Sequence, residues 1–389
     1  MLEIVNGLNR CWEQKQRAVL ATIVEVEGSA YRREGARCLI LESGEMIGIL
    51  SGGCVEGDLL EHARNVLESG LPQLIRYDFR TEEDLTWGLG LGCNGALTIW
   101  LQPFDPVRRS AQAEALLQAF QQRVVATKRY TVAAVVESSQ PEQLPPGTQL
   151  VMQEQDEQPH SPRWSGGLQR TSVRGIPCSL FVETVEPQMR LVICGAGADA
   201  VPLVRGAKAL QWHVTLIDHR ERHASWKRFP EADECLVIPR NGYAALPVSD
   251  DAYVVAMTHQ YELDRMIVQS LLPRSIPYLG VLGARSRIER MLKEIALEGM
   301  DLPEAWLKKL HAPIGLDIGA ESPQEIALSI LAEVACRKNG RSGQPLRLRK
   351  GPLHERNSGE MIGPSQQRWI VEQNAGEKGG AFCATVSNR

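Results

Sequence analysis

The chain has 389 residues, a formal net charge of −4 at pH 7 and 43% hydrophobic residues. This length allows two domains with cores of their own, and 23% charged residues is an ordinary globular composition. The chain lacks the basic excess of a typical nucleic-acid binder. No apolar run reaches the roughly 18 residues of a transmembrane helix, and residues 1–16 lack the apolar core of a signal peptide. We therefore expect a cytoplasmic protein with no membrane contact.

The nine cysteines are scattered along the chain and form no C-x-x-C pair. They are Cys11, Cys38, Cys54, Cys93, Cys178, Cys194, Cys235, Cys336 and Cys383. A structural zinc site is therefore not expected, and we predict no resident metal. In a reducing cytosol the cysteines are free thiols, most of them buried as small apolar side chains.

Residues 1–105 are predicted to form a compact mixed α/β unit. Apolar residues at helical spacing favour a first helix that ends near Lys15, and shorter apolar runs favour strands. Gly70 and Pro72 mark the end of the second helix. The further predicted elements are strands Ala18–Val26, Ala36–Leu41, Glu45–Leu50, Leu74–Phe79 and Ala96–Leu101, a helix from Val55 to Ser69, and a glycine-rich loop from Gly88 to Gly95.

Residues 106–188 contain a predicted helix near 108–127 and strands near Thr131–Val136 and Cys178–Val185. The stretch Pro141–Pro162 is polar and rich in Pro and Gln, which indicates a surface excursion. This segment either forms a domain of its own or completes the first one. We favour the second arrangement, in which residues 1–188 form one N-terminal domain.

Residues 189–338 alternate predicted strands and helices, the pattern of a Rossmann-type, doubly wound parallel sheet. Ser322, Pro323 and Glu325 predict the N-cap and capping box of its last helix. Residues 339–389 have few apolar residues and no periodicity, so we predict a flexible tail. The expected fold class is α/β, with a mixed N-terminal domain followed by the Rossmann-type domain.

A dinucleotide-binding fingerprint opens the Rossmann-type domain. The residues from Gly195 to Ala200 match G-x-G-x-x-A, and Asp218 follows Gly197 by 21 residues. A strand before the glycines, a helix after them and a second strand ending at the acid complete the required context. The fingerprint indicates either a working nucleotide site or a Rossmann fold whose pocket is empty or degenerate.

Each residue of the fingerprint has a physical role. Gly195 allows the tight turn, Gly197 lets pyrophosphate approach the backbone, and Ala200 allows close packing of helix on strand. Asp218 would accept hydrogen bonds from a ribose diol, which favours NAD over NADP. Arg220 could instead pair with a phosphate, so either form of NAD(P) stays open.

His259 follows a predicted strand, Ala252–Met257, whose end faces the same crevice. Ligands bind at the carboxyl ends of strands in open α/β sheets. His259 is therefore either a contact to substrate or nicotinamide, or an exposed loop histidine. Asp264 could orient it if a helix starts near Glu262.

Two glycine–cysteine loops lie in the N-terminal half. Cys54 follows Ser51-Gly52-Gly53 and precedes a helix, whose dipole would lower the pKa of the thiol. Glu56 partly opposes that effect, or acts as an acid–base group. We expect Gly52 and Gly53 to let an anion approach the backbone.

Cys93 lies in the second loop, beside Gly92 and among four glycines in all. So many glycines around one thiol suggest close approach of a ligand. Three basic residues that follow the first predicted strand, Arg32, Arg33 and Arg37, could supply charge to a phosphate. The alternative is two ordinary glycine loops with buried cysteines.

These motifs resemble those of the XdhC/CoxI family. The matching segments are Gly28–Ala36, Ser51–Glu56, Gly90–Gly95, Cys194–Gly197, Met257–His259, Leu279–Gly283 and Pro313–Gly319. The resemblance covers about residues 10–338, and Ser-Gly-Gly-Cys-Val-Glu is an especially specific motif. One departure is Asn94, which adds a side chain where the family usually has a second glycine after the cysteine.

The resemblance implies a cofactor chaperone rather than a turnover enzyme. Its members are understood to bind molybdenum cofactor, assist its sulfuration with a cysteine desulfurase, and insert it into a molybdenum hydroxylase apoenzyme such as xanthine dehydrogenase. Cys54 and Cys93 are then the candidates for cofactor contact or sulfur handling, which suits a soft metal–dithiolene group. A homodimer is the expected assembly.

Two other functions compete with this one. An NAD(P)-dependent oxidoreductase acting on a small molecule would rest on the fingerprint and His259. A scaffold that docks desulfurase and hydroxylase would use the Rossmann-type domain only as architecture. The chain is not itself a xanthine dehydrogenase, because it lacks the iron–sulfur cysteine spacings and the length for the molybdenum and flavin domains.

Overall fold

The computed structural model describes residues 1–28, 30–53, 55–80, 95–152 and 166–350, and the backbone of strands Gln367–Val371 and Phe382–Ser387. The chain divides into two compact units. The first comprises Met1–Pro187 with Glu355–Arg389, and the second comprises Gln188–His354. Among the described residues, no helix combines the length and the apolar character that crossing a bilayer requires.

The elements follow one another along the chain in three groups. Residues 1–187 contain α1 (Leu2–Glu13), β1 (Ala18–Gly28), β2 (Arg37–Leu41), β3 (Met46–Gly48), α2 (Glu56–Ser69), β4 (Gln73–Asp78), β5 (Gly95–Phe104), α3 (Ser110–Val124), β6 (Tyr130–Ser138), β7 (Gln149–Met152), β8 (Gly167–Val173) and β9 (Ile176–Val185). The second unit contains β10 (Arg190–Cys194), α4 (Ala200–Ala209), β11 (His213–Asp218), β12 (Glu234–Val237), β13 (Tyr253–Ala256), α5 (Tyr261–Leu271), β14 (Tyr278–Val281), α6 (Arg285–Leu297), α7 (Glu304–Leu307), β15 (Leu310–His311) and α8 (Pro323–Lys338), with 3-10 helices at Arg240–Ala245 and Leu346–Leu348. The last strands are β16 (Gln367–Val371) and β17 (Phe382–Ser387).

The first unit is built on an antiparallel sheet with the strand order β3-β2-β1-β5-β4. Alternate residues of β1 point to opposite faces, because successive side chains of a strand do so. Val19, Ala21 and Ile23 join the apolar cluster under α2. Ala18 and Leu20 join the cluster under α1 and α3. Covered on both faces, β1 is apolar along most of its length, which is why its sequence predicts a strand so clearly.

A closed barrel with the order β16-β17-β8-β9-β6-β7 completes the first unit. Two sequence predictions differ from it. The excursion predicted for Pro141–Pro162 contains β7, which pairs with β6 and buries Leu150. The tail predicted for residues 339–389 contributes β16 and β17, which pair with β7 and β8. Strands of four to six residues among polar residues carry too little alternation to be recognised from one sequence.

The second unit confirms the Rossmann prediction. Its sheet has the order β12-β11-β10-β13-β14-β15, and every strand pair is parallel. One face packs against α4 and α8 and the other against α5 and α6. The predicted capping box of α8 is also present, with Ser322 accepting from the backbone N–H of Glu325. Strand order reverses beside β10, which is where open α/β sheets place ligands.

Candidate functional site

The glycine turn of the second unit joins β10 to α4. Gly195 has φ +119°, which favours glycine, and its N–H donates to the carbonyl of Ile217 at 2.8 Å. A Cβ at this position would lie only 2.9 Å from Cα of Thr258 and closer still to the carbonyl of Met257. The first glycine is therefore required by the close approach of the chain that leaves β13. Ala200 begins α4 and is fully buried, as the packing argument predicts.

Asp218, at the end of β11, braces this turn. Its Oδ2 accepts from the N–H of Ala196 at 2.8 Å and from Nη2 of Arg220 at 2.8 Å. Its Oδ1 accepts from the N–H and Nε of Arg220, both at 2.9 Å. Burial opposes ionisation, but these hydrogen bonds prevail and lower the pKa of Asp218 to about 2. The carboxylate that was expected to accept from a ribose diol already has protein donors on both oxygens.

Asp199, in the glycine turn, and His259, after β13, form a hydrogen-bonded pair. His259 Nε2 lies 2.7 Å from Asp199 Oδ2, and the histidine side chain is 59% exposed. His259 has φ +57°, an uncommon backbone conformation for a non-glycine residue. The exposed position agrees with a surface histidine at the strand end. Its partnership with Asp199 was missed, although Asp199 lies inside the fingerprint.

Asp264 does not orient His259, and that prediction is wrong. The helix α5 starts at Tyr261, and the fully buried Asp264 accepts from the hydroxyl of Thr258 at 2.7 Å. Its other oxygen accepts from Arg287 at 2.6 Å. The acid therefore anchors the residue before His259, because the first turn of α5 places it under Thr258 rather than beside the imidazole.

The described strands next to the two glycine–cysteine segments end at one edge of the first sheet. Gly28, the last residue of β1, is opposite Gly95, the first residue of β5. Asp78, the last residue of β4, is opposite Ala96, so the chain enters and leaves residues 81–94 at this edge. The strand β3 runs in the direction of β1, because both are antiparallel to β2. It therefore leads the chain towards the same edge before the Ser51 turn.

A hydrogen bond ties the start of α2 to that edge. Asp58, in the first turn of α2, accepts from the hydroxyl of Tyr77 on β4 at 2.5 Å. Burial and this bond together raise the pKa of Tyr77, so the phenol stays protonated. His62 lies one turn further along α2, with Nε2 3.4 Å from the same carboxylate. The sequence analysis missed this group, since nothing in the spacing of Asp58 and Tyr77 indicates a contact.

Glu56 organises the turn before α2. Its carboxylate accepts from the backbone N–H groups of Ser51 and Val55, both at 3.1 Å, and from the hydroxyl of Ser51. Burial opposes ionisation, but the bonds from Ser51 and the backbone prevail and lower the pKa of Glu56. A lowered pKa makes it a poor general acid at neutral pH. The geometry is that of a carboxylate holding the turn in shape.

Gly52 and Gly53, the two glycines of this turn, have free space beside them as far as the described residues extend. A Cβ at Gly52 or Gly53 would meet no non-neighbouring heavy atom within 4 Å, among the residues that the structure describes. Gly53 also has φ +108°, which favours glycine. The remaining predicted members of the site, Cys54, Gly92, Cys93 and Asn94, lie outside the described residues.

Arg37 does not face a phosphate site, and that suggestion is wrong. Its side chain is only 6% exposed and pairs with Glu183 of β9, which also pairs with Arg123 of α3. Both guanidinium groups lie over the ring of Phe120. The triad joins the sheet to the barrel within the first unit. By contrast, Arg32 is exposed and Arg33 is half-buried.

No cluster of three or more His, Cys, Asp or Glu side chains that could hold a metal ion occurs in the described part of the chain.

Comparisons with known proteins place the chain. A family model described as the XdhC Rossmann domain matches residues 191–334, and one described as the XdhC and CoxI family matches residues 11–78. The chain is 33% identical over 338 residues to a probable xanthine dehydrogenase subunit of Bacillus subtilis (strain 168), across 84% of this chain and 95% of that protein. It is 27% identical over 320 residues to the "Molybdenum cofactor insertion chaperone PaoD" of Escherichia coli (strain K12), across 82% of each.

A solved structure agrees with these relatives. The crystal structure of a xanthine dehydrogenase from Bacillus halodurans superposes with a TM-score of 0.68 at 29% sequence identity. The match covers 88% of this chain and 98% of that one. The parallel sheet, the two family matches and a relative of 33% identity along nearly its whole length lead to one conclusion. The chain belongs to the XdhC and CoxI family.

Proposed function

We propose that this protein is an accessory factor that binds molybdenum cofactor transiently and assists its sulfuration and its insertion into a molybdenum hydroxylase apoenzyme. Family membership and the likeness to a molybdenum cofactor insertion chaperone support this role. Within the structure, the observation that carries it is the Asp58–Tyr77 hydrogen bond. This bond brings the helix that follows Cys54 to the edge where the chain enters and leaves the segment holding Cys93.

The chemistry of the donor set suits this cofactor. Cys54 and Cys93 are soft sulfur ligands of the kind that bind soft metal–sulfur centres. Gly52 and Gly53 leave the backbone open to a ligand, since no described side chain fills the space beside them. When bound, the cofactor supplies the molybdenum–sulfur chemistry that the client enzyme needs, and the protein supplies binding and orientation.

The chain's own residues have distinct roles in this proposal. Glu56 and Ser51 fix the turn that carries Cys54, through the hydrogen bonds to Ser51 and Val55. Asp58 and Tyr77 hold that turn against the edge of the sheet. Cys54 and Cys93 contact the cofactor. Glu56 is thus a positioning residue rather than the acid–base group that its sequence position also allowed.

The partners follow from the same role. A cysteine desulfurase would supply sulfur, and the molybdenum hydroxylase apoenzyme would receive the completed cofactor. In this proposal the protein acts in the cytoplasm as a homodimer. Co-purification of each partner with tagged protein under anaerobic conditions tests the partners. The mass of the purified protein in solution tests the dimer, and neither measurement depends on cofactor binding.

The direct experiment is cofactor analysis of protein purified anaerobically with Cys54→Ala, Cys93→Ala and Cys235→Ala variants. Cys235 is half-buried on β12 in the second unit and serves as the matched control. We expect molybdenum and pterin to be retained by wild type and by Cys235→Ala, and lost from the other two. Full retention and full maturation of a hydroxylase by the Cys54→Ala/Cys93→Ala double variant would rule out the thiols as cofactor contacts.

The NAD(P)-dependent oxidoreductase that the fingerprint suggests is not the function we propose. It would need a free pyrophosphate position at the glycine turn and a free acceptor for ribose. Protein side chains occupy both: the carboxylate of Asp199 lies over Gly197, and Asp218 accepts from protein donors on both oxygens.

A further inference from the structure

The second glycine of a dinucleotide fingerprint serves to keep a side chain away from the pyrophosphate. At Gly197 that space is filled by another residue. A Cβ built at Gly197 would lie 3.4 Å from Cγ of Asp199, and Oδ1 of Asp199 lies closer still. The carboxylate of Asp199 therefore folds back over the glycine, into the volume that the glycine leaves for a phosphate.

His259 holds the carboxylate in that place. The ring Nε2 is 2.7 Å from Oδ2 of Asp199, while the side chain of Asp199 is only 20% exposed. The backbone beneath His259 is fixed in turn, since the 5% exposed Thr258 bonds to the fully buried Asp264, which pairs with Arg287. The pair is thus anchored in the fold on the strand side.

The electrostatics of this arrangement oppose a dinucleotide. A pyrophosphate at Gly197 would lie against the Asp199 carboxylate, and like charges at contact distance repel strongly in partly buried surroundings. Two nearby arginines are already engaged: Arg220 with Asp218, and Arg228 with the carbonyl of Ala196 at 3.0 Å. Asp218, the expected ribose acceptor, has protein donors on both oxygens.

We infer that Asp199 is a specificity-determining residue that excludes the pyrophosphate of NAD(P) from the Rossmann unit of this protein. The fingerprint of the second unit then preserves a fold, in which the protein's own packing requires Gly195. The inference concerns the second unit alone and does not depend on the proposed cofactor role of the first.

The test is titration of the full-length wild type and its variants with NADH and with NADPH, followed by nucleotide fluorescence. Wild type should show no saturable binding up to about 1 mM. Asp199→Asn and Asp199→Ala should bind at least one of the two nucleotides about tenfold more tightly or better. Asp199 makes no capping hydrogen bond to α4, so neither change removes a cap.

A matched control keeps the result interpretable. Asp301→Asn removes an exposed charge after α6, which begins at the carboxyl edge of the sheet and ends towards the opposite edge. It should not bind either nucleotide. Tight binding by wild type, binding gained only in the control, or no gain in a folded Asp199→Asn and a folded Asp199→Ala would each overturn the inference.

Discussion

The two glycine turns of this protein, the thiol turn at residues 51–54 and the fingerprint turn at residues 195–200, look alike in sequence, since each precedes a helix and each has a carboxylate nearby. Their surroundings differ. Beside Gly52 and Gly53 a Cβ would meet open space among the described residues, whereas at Gly195 and Gly197 it would collide with Met257 and Asp199. Glycines that serve the protein's own packing cannot also admit a ligand into the same volume. The difference therefore favours the thiol turn over the fingerprint turn as the place where a ligand binds.

The carboxylates beside the two turns, Glu56 and Asp218, have similar bonding. Glu56 and Asp218 each accept backbone N–H bonds from their own turn, and each has a lowered pKa. Either residue is easily taken for a ligand-binding or catalytic acid when only the sequence is known. In the structure both stabilise a turn. Beside the turn of Glu56 no described atom fills the space next to the glycines, whereas beside the turn of Asp218 the carboxylate of Asp199 lies over Gly197.

The largest expected difference between the two turns is in stability, when a glycine of each turn is replaced by alanine. Gly195→Ala should lower the free energy of unfolding by about 3 kcal/mol or more, because φ is positive and a Cβ meets the backbone of Met257. Gly52→Ala should change it by no more than about 0.5 kcal/mol, yet weaken cofactor retention. Urea unfolding of both variants checks this pair, and equal destabilisation would contradict it.

The next effect concerns the brace of the thiol turn. Glu56→Gln replaces a charged acceptor of three hydrogen bonds. We therefore expect the free energy of unfolding to fall by about 2 kcal/mol near pH 7. Because the folded pKa of Glu56 is lowered, its contribution is present above the ordinary value of 4.5 and is lost as pH falls through the folded value. The free energies of unfolding of wild type and Glu56→Gln, measured by urea unfolding, should therefore converge at acid pH. A difference that stays constant down to acid pH would contradict this account.

A smaller effect is expected at the brace of the fingerprint turn. The pKa of Asp218 falls from 3.8 to about 2 on folding, so its contribution is complete above about pH 4 and is lost progressively towards pH 2. In Asp218→Asn the free energy of unfolding should therefore fall by about 1–2 kcal/mol less than in wild type as the pH is lowered through this range. Hydrogen exchange of peptides from residues 188–354, measured from pH 4 to 2.5, reads out the second unit alone. An unchanged slope would contradict the assigned bonds.

The smallest effect is expected from Tyr77→Phe, which removes the hydrogen bond to Asp58. We expect the free energy of unfolding to fall by about 1 kcal/mol. Cofactor retention should also weaken, because the start of α2 is held less firmly to the sheet edge. Tyr31→Phe, at a residue 60% exposed, is the matched control. If both variants retain the cofactor equally, the bond has no positioning role.

Parts of the fold follow from the sequence because the local signals are strong. The Rossmann-type sheet was predicted from its regular alternation, and the capping box of α8 from three residues, Ser322, Pro323 and Glu325. The strands β7 and β8 were missed. The first is only four residues long, and the second carries few apolar residues, so neither shows a clear alternation.

The errors at the sites have a common physical cause. Arg37 finds its partner Glu183 146 positions along the chain. Asp199 meets His259 across 60 positions. Such contacts depend on tertiary packing, and residue type and spacing carry no direct signal of them. The proposed roles of Cys54 and Cys93 remain predictions.

The central claim is that the thiol turn, and not the dinucleotide fingerprint, is where this protein binds its ligand. The most direct measurement compares molybdenum cofactor content and NADH binding in the same anaerobic preparations of wild type and the Cys54→Ala/Cys93→Ala double variant. The account predicts that wild type carries the cofactor without binding NADH, and that the double variant loses the cofactor. Saturable NADH binding by wild type together with undiminished cofactor in the double variant would contradict it.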